Sequence, residues 1–314
     1  MNYLKDYREG EKFVGTYLCK QKQILKTKAG KTYYSLTLQD KTGTADGKIW
    51  ELNNGIANFE PMDYIHCEGM VTSFQGNLQM NISRVRISDE GEYDPADYVP
   101  CTNKDVGEMF SRILKYVASV QNKYLRKILE MYFVENKEFV DAFKKHSAAK
   151  SVHHGFMGGL LEHTLSVTDM CQYFAEHYPM IHRDLLITAA LFHDMGKIQE
   201  ISDFPMNDYT DDGQLLGHIY IGARCMENAA AQIPNFPPKL KNELVHCILA
   251  HHGKMEFGSP KVPAIMEAIA LHMADNADAK LQTLTEVFTQ AGDNMGWLGF
   301  NRMFESNLRK TSEE

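Results

Sequence analysis

The sequence predicts two joined folds, a small five-stranded β-barrel in residues 1–90 and an all-α domain over residues 103–314. Three observations carry that expectation. Short stretches of alternating polar and apolar side chains lie between residues 12 and 88. Residues 91–102 are acidic, contain Pro95 and Pro100, and have no period. Beyond residue 103, apolar residues recur at three- and four-residue spacing.

In the first segment, Tyr34, Leu36 and Leu38 alternate with Tyr33, Ser35 and Thr37, which sets the two groups on opposite faces of a strand. "DKTG" then supplies a turn, "GTADGKIW" and "YIHCEGMVTSF" read as further strands, and "QGN" turns the chain into "LQMNISRVRIS". The polar "NNGIANFEP" lies between "GTADGKIW" and "YIHCEGMVTSF", the third and fourth of five strands when the stretch that begins at Lys12 is counted first. That order suggests a closed barrel of the OB type. Such barrels bind single strands by stacking bases on aromatics while Lys and Arg follow the phosphates. Lys20, Tyr33, Lys48, Trp50, Phe74, Arg84 and Arg86, with Tyr17, are therefore candidates for a nucleic-acid surface. The competing expectation for each aromatic is a place in the barrel core.

Residues 91–102 read as an extended linker. After it come amphipathic stretches from "VGEMFSRILKYVASV" to "VPAIMEAIALHMADNADAKLQTLTEVF". The polar "SDFPMNDYTDDGQLLG" interrupts them as a loop or small hairpin, and the final "NLRKTSEE" looks frayed. The formal net charge of −8 excludes a basic surface over the whole protein. The sign is uneven, however: residues 1–90 hold 12 Lys/Arg against 11 Asp/Glu, while residues 91–314 hold 21 against 30. The apolar run Leu185–Phe192 is far shorter than the roughly 20 residues that cross a bilayer, and "MNYLKDYREGEKF" lacks a signal peptide's apolar segment. No membrane association and a cytoplasmic location are expected. The six cysteines form no C-x-x-C pair, which argues for reduced thiols and against a thiolate zinc site.

Of 13 histidines, all but His66 and His146 fall between positions 153 and 272. Those that stand out are His163 in "GGLLEHT", His193 beside Asp194 in "LFHDMGK", His218 in "LGHIYIG", His251 and His252 in "LAHHG", and, among the aspartates, Asp275 in "HMADNADAK". Separate helices carry them, so a bundle can converge them on one pocket. Imidazole and carboxylate donors without thiolate suit Mn²⁺, Fe²⁺, Co²⁺ or Zn²⁺ in a catalytic site. His153 and His154 precede the first of these helices, and Asp278 lies one turn from Asp275. Each is a candidate for substrate contact or for orienting a ligand, against plain packing or solvation.

The ordered series His, His-Asp, His, His-His, Asp resembles the HD phosphohydrolase superfamily, with a metal-site core at about residues 155–280. With the OB-type barrel ahead of it, the chain resembles the YhaM family of 3′→5′ exoribonucleases. That resemblance implies that His163, His193, Asp194 and Asp275 hold one divalent ion. Asp194 would bridge to a second, held by His218, His251 and His252. Mn²⁺ is the first expectation, with Co²⁺, Fe²⁺ or Zn²⁺ as substitutes. It further implies a scissile phosphate contacted by Lys197, and hydrolysis of single-stranded RNA, and of single-stranded DNA, to nucleoside 5′-monophosphates. The direction of degradation comes from the resemblance alone. Two rivals stand beside this expectation: an HD-type nucleotide or signalling-dinucleotide phosphohydrolase, and a non-catalytic single-strand-binding protein. Nothing in the sequence excludes a homo-oligomer.

Overall fold

A computed structural model describes residues 3–74, 77–150 and 154–312. The chain divides into two units, one of residues 1–103 with 203–207, the other of residues 104–202 with 208–314.

The first unit is a closed barrel of β1 (Lys12–Lys26), β2 (Thr32–Asp40), β3 (Gly43–Ile49), β4 (Tyr64–Phe74) and β5 (Asn77–Ile87), in the order β1-β2-β3-β5-β4. Closure depends on the long β1. Its first half pairs with β4 from Lys12 to Leu18, and from Leu18 to Lys26 it pairs with β2 across a bulge between Cys19 and Gln21. A bulge bends a strand and raises its twist, which lets one strand serve two neighbours. The inward alternates Leu36, Leu38 and Ile49 are buried with Phe13, Ile65 and Met80. From the connection between β3 and β4, Phe59 joins the same cluster. Tyr17 is also core, at 0% exposure, and its hydroxyl donates to that of Tyr7 at 3.1 Å. It therefore leaves the candidate surface: its register turns it inward.

The stretch expected as an extended linker packs on the barrel. Tyr93 stacks on Tyr64 with ring centroids 4.0 Å apart, Tyr98 meets the same ring edge-on at 5.2 Å, and the Tyr98 carbonyl accepts from Gln39. Composition lacked a period here, but aromatic burial supplies the ordering free energy that a solvated linker would lack.

The second unit contains α1 (Val106–Ser119), α2 (Lys123–Phe133), α3 (Lys137–Lys145), α4 (Gly159–His177), α5 (Arg183–Phe192), α6 (Lys197–Glu200), α7 (Asp211–Ala231), α8 (Pro238–Ala250) and α9 (Met266–Gln290). Side-chain caps begin several of them. Asp105 accepts from the Glu108 amide at 2.7 Å, and Thr210 from the Gly213 amide at 2.9 Å. The run Leu185–Phe192 is buried on every face of α5, as befits a helix in the middle of a bundle. The stretch Asp211–Gly217, expected as part of a loop, instead forms the first turns of α7. Near the end of the chain, β6 (Phe300–Asn301) pairs with β7 (Ser306–Asn307). No helix among the described residues is long and apolar enough to cross a membrane. Cys19, Cys67, Cys171 and Cys247 are buried free thiols.

Candidate metal centre

Helix α5 ends at Phe192, and His193 continues its geometry at φ −53° and ψ −39° before the chain turns into α6. Gly196 seats this turn against α7. A Cβ at Gly196 would lie 2.1 Å from the His218 carbonyl oxygen, so only glycine permits the approach. Within α7, Gly217 leaves helical geometry at φ 72° and ψ 152°, a conformation open to glycine, and re-aims His218.

Around His163 of α4, four donor atoms converge. Its Nε2 lies 3.3 Å from Asp194 Oδ2, 3.3 Å from Asp275 Oδ1 and 3.1 Å from His193 Nε2. His193 Nε2 is 3.4 Å from Asp194 Oδ2 and 3.9 Å from Asp275 Oδ1. The other Asp194 oxygen faces the opposite way. Oδ1 lies 3.5 Å from His218 Nε2 and 3.6 Å from His251 Nε2, and His252 completes this second group. Asp194 thus reaches two donor clusters, one oxygen to each.

Five imidazoles are held so that one nitrogen of each is free for the centre. Nδ1 is engaged by Asp278 at 2.7 Å in His163, by the Ala190 carbonyl at 2.8 Å in His193, and by Glu200 at 2.9 Å in His218. In His251 it meets the Ile248 carbonyl at 2.7 Å, and in His252 the Phe257 carbonyl at 2.8 Å. An Nδ1–H donated outward leaves the Nε2 lone pair as a ligand. Three atoms that converge on the second group, Asp194 Oδ1, His218 Nε2 and His251 Nε2, are buried without a hydrogen-bond partner among the described residues. Acceptors so crowded and so dry are costly unless a cation lies among them. The residues present therefore fit divalent ions by chemistry and by position.

Charge around the centre follows the same plan. Burial opposes a charged His163, but Asp194, Asp275 and Asp278 outweigh it and hold the imidazole well above its ordinary range. Burial likewise opposes the Asp194 carboxylate, yet Lys197 and His193 hold it well below. Lys197 Nζ is 2.6 Å from Asp194 Oδ2, and that pairing raises the lysine against its own desolvation. His252, desolvated and beside His251, is pushed down to about 4, while burial also lowers His251.

The outlying candidates divide. Asp278 accepts from His163 and, through the same oxygen, from His154 Nε2 at 2.9 Å. Ser166 donates to its other oxygen. His154 is 1% exposed, whereas His153 lies outside the described residues. One participant escapes a reading of the sequence: Glu200, whose only signal is a carboxylate three residues beyond Lys197.

On the barrel, Tyr33 and Trp50 stack outside with centroids 4.6 Å apart, and Trp50 Nε1 donates to Asn81 at 3.0 Å. Lys48, on the same β2–β3 face, donates to Ser35 at 2.7 Å and pairs with Asp46. Arg84 and Arg86 lie instead along the β4–β5 pairing. Arg86 is forked on Glu92 at 2.6 and 2.9 Å, and Arg84 sits 3.8 Å from Glu68. Lys20 is exposed at the β1 bulge, and Phe74 is 62% exposed at the end of β4.

Residues 160–280 match the model of the HD domain. The chain is 32% identical to the 3′-5′ exoribonuclease YhaM of Geobacillus sp. (strain WCH70) over 257 residues, 81% of this chain and 78% of that protein. The same identity holds for the Bacillus subtilis (strain 168) protein of that name, over 81% of each chain, and for the Listeria innocua one, over 90% of each. Among solved structures, the second OB-fold domain of replication protein A from Methanococcus maripaludis overlaps 29% of this chain and 98% of its own. Its identity of 20% and TM-score of 0.24 are too slight to bear on function.

Proposed function

The chain belongs to the YhaM family, and from that premise we propose that it is a metal-dependent 3′→5′ exoribonuclease releasing nucleoside 5′-monophosphates from single-stranded RNA. The observation that carries the reading is Asp194, with Oδ2 turned to His163 and His193 and Oδ1 to His218 and His251. His163, His193, Asp194 and Asp275 would hold one divalent ion, and Asp194, His218, His251 and His252 the other. Mn²⁺ fits this nitrogen and oxygen donor set, as do Co²⁺, Fe²⁺ and Zn²⁺. Such a pair supplies an acidified water at neutral pH and positive charge against the phosphate oxygens.

The chain's own residues do the rest. Asp278 accepts from His163 Nδ1 and so keeps the Nε2 of that imidazole turned to the centre. Lys197, 13% exposed at its side chain, places an ammonium beside Asp194 where a scissile phosphate would meet it. The stacked Tyr33–Trp50 pair with Lys48 is the surface for the incoming strand. Base stacking and phosphate contacts do not read the 2′-hydroxyl, so single-stranded DNA is a substrate of the same site.

Metal-stripped protein resupplied with Mn²⁺ and given RNA labelled at its 5′ end tests the reading. Progressive shortening is expected, and Asp194→Asn abolishes it. Immediate release of a labelled mononucleotide, or full activity in Asp194→Asn, would defeat the proposal.

A further inference from the structure

Among the described residues, Glu200 is the one buried carboxylate touching the centre that neither the sequence pattern nor the proposed chemistry assigns. It is the last residue of α6, 8% exposed, and its Oε1 accepts two hydrogen bonds from His218: from the backbone N–H at 2.9 Å and from the side-chain Nδ1–H at 2.9 Å. The backbone donor is available because of Gly217. Its φ of 72° breaks α7, so the His218 amide begins a new helical segment and needs an acceptor from outside it. The same oxygen that caps the restarted helix also decides which ring nitrogen carries the proton.

From this geometry we infer that Glu200 is the positioning residue of the second ion: it fixes His218 as the Nδ1–H tautomer and so keeps its Nε2 lone pair directed at Asp194 Oδ1. The inference rests on the two-ion reading above. Without that acceptor, the proton is free to move to Nε2. His218 would then aim an N–H at Asp194 Oδ1, 3.5 Å away, and a ligand would become a competing hydrogen-bond donor. The effect is selective because the imidazoles of the first group are tied elsewhere, to Asp278 and to the Ala190 carbonyl. Glu200 also shares its short helix with Lys197, which pairs with Asp194 at 2.6 Å. One turn of chain therefore sets the shared carboxylate on one side and the second-ion imidazole on the other.

Calorimetric titration of metal-stripped protein with Mn²⁺, with bound metal counted by mass spectrometry, tests this without reference to turnover. Wild type takes up two ions. In Glu200→Ala the first ion binds as in wild type, while affinity for the second falls by about 10- to 100-fold. Glu200→Gln, whose amide oxygen accepts the same two hydrogens, stays close to wild type. Equal binding of both ions in Glu200→Ala overturns the inference, as does a loss in Glu200→Gln as large as in Glu200→Ala. Should Glu200→Ala fail to fold, long-range ¹H–¹⁵N spectra of metal-stripped wild type decide, with the His218 signals assigned by their loss in His218→Ala. An Nδ1–H tautomer supports the role, and an Nε2–H tautomer removes it. If wild type binds a single ion, the two-ion reading fails by itself, and the tautomer measurement still judges Glu200.

Discussion

Asp278 Oδ2 accepts from Nδ1 of His163 at 2.7 Å, across the ring from the 3.3 Å contact between His163 Nε2 and Asp275 Oδ1. Residues three apart share a helix face, so one turn of α9 supplies carboxylates to both sides of one imidazole. Asp278→Ala should lower affinity for the first ion by about 10- to 100-fold. It also strands the Nδ1–H of His163 and the Nε2–H of His154, at a cost of about 1–3 kcal/mol for each buried donor. Asp278→Asn, which keeps an acceptor, should lose less of both. Calorimetric Mn²⁺ titration and thermal melts of the metal-stripped variants measure the two effects separately.

In metal-free protein, His163 has reason to carry both protons. With its Nδ1–H given to Asp278 Oδ2 at 2.7 Å, a second proton on His163 Nε2 would face the Asp194 and Asp275 carboxylate oxygens, each 3.3 Å away. The three aspartates that hold His163 well above its ordinary range agree with that geometry. A group raised in the folded state stabilises it fully below the unfolded pKa of about 6.5. That contribution is lost as pH rises through the folded value. Two outcomes follow for metal-stripped protein. Its melting temperature should decline on the alkaline side of neutrality, and Mn²⁺ uptake at pH 7 should release about one proton. Titrations in buffers of different ionisation enthalpy read the proton, and no buffer dependence would contradict it.

Much of this centre is legible in the chain because its donors are local words. "LFHDMGK" and "LAHHG" place imidazole and carboxylate at helix ends by adjacency alone. Glu200 has no such word: its role exists only after Gly217 breaks α7 and Gly196 lets the two segments touch. Tyr17 was misplaced for a related reason. Alternation shows that two faces exist, but which face is inside depends on register, and at Tyr17 that register is the pairing with Ile65 of β4. Residues 91–102 look unstructured by composition, yet Tyr93 and Tyr98 find an aromatic partner 29 and 34 positions earlier, in Tyr64.

On the function proposed above, the Tyr33–Trp50 stack would carry a measurable share of strand capture. Stacking of a base on an aromatic is worth about 1–3 kcal/mol, so Trp50→Ala should weaken binding of a long single strand by about 5- to 150-fold. Hydrolysis of a short activated phosphodiester should stay unchanged, since that substrate needs the metal centre alone. Fluorescence anisotropy with labelled oligonucleotides, repeated over a range of salt concentrations, checks this. Equal losses on both substrates would mean that the stack supports the fold rather than the strand.

Gly196 and Gly222 predict opposite signs for the same substitution. A Cβ at Gly196 meets the His218 carbonyl oxygen at 2.1 Å and the Gly222 nitrogen at 2.9 Å, both backbone, so neither can yield without moving a helix. At Gly222, inside α7, the nearest neighbour would be Ile248 Cγ2 of α8 at 3.5 Å, an ordinary contact. Gly196→Ala should therefore destabilise the protein by about 1–3 kcal/mol, the usual scale of overpacking. It should also weaken uptake of the second ion, because His218 moves with its carbonyl. Gly222→Ala should be neutral or stabilising by up to about 1 kcal/mol, through helix propensity. Denaturant unfolding of both variants, each with its metal content measured, decides the matter: a harmless Gly196→Ala would mean that α6 and α7 can part without cost, and that the kink at Gly217 is not what aims His218.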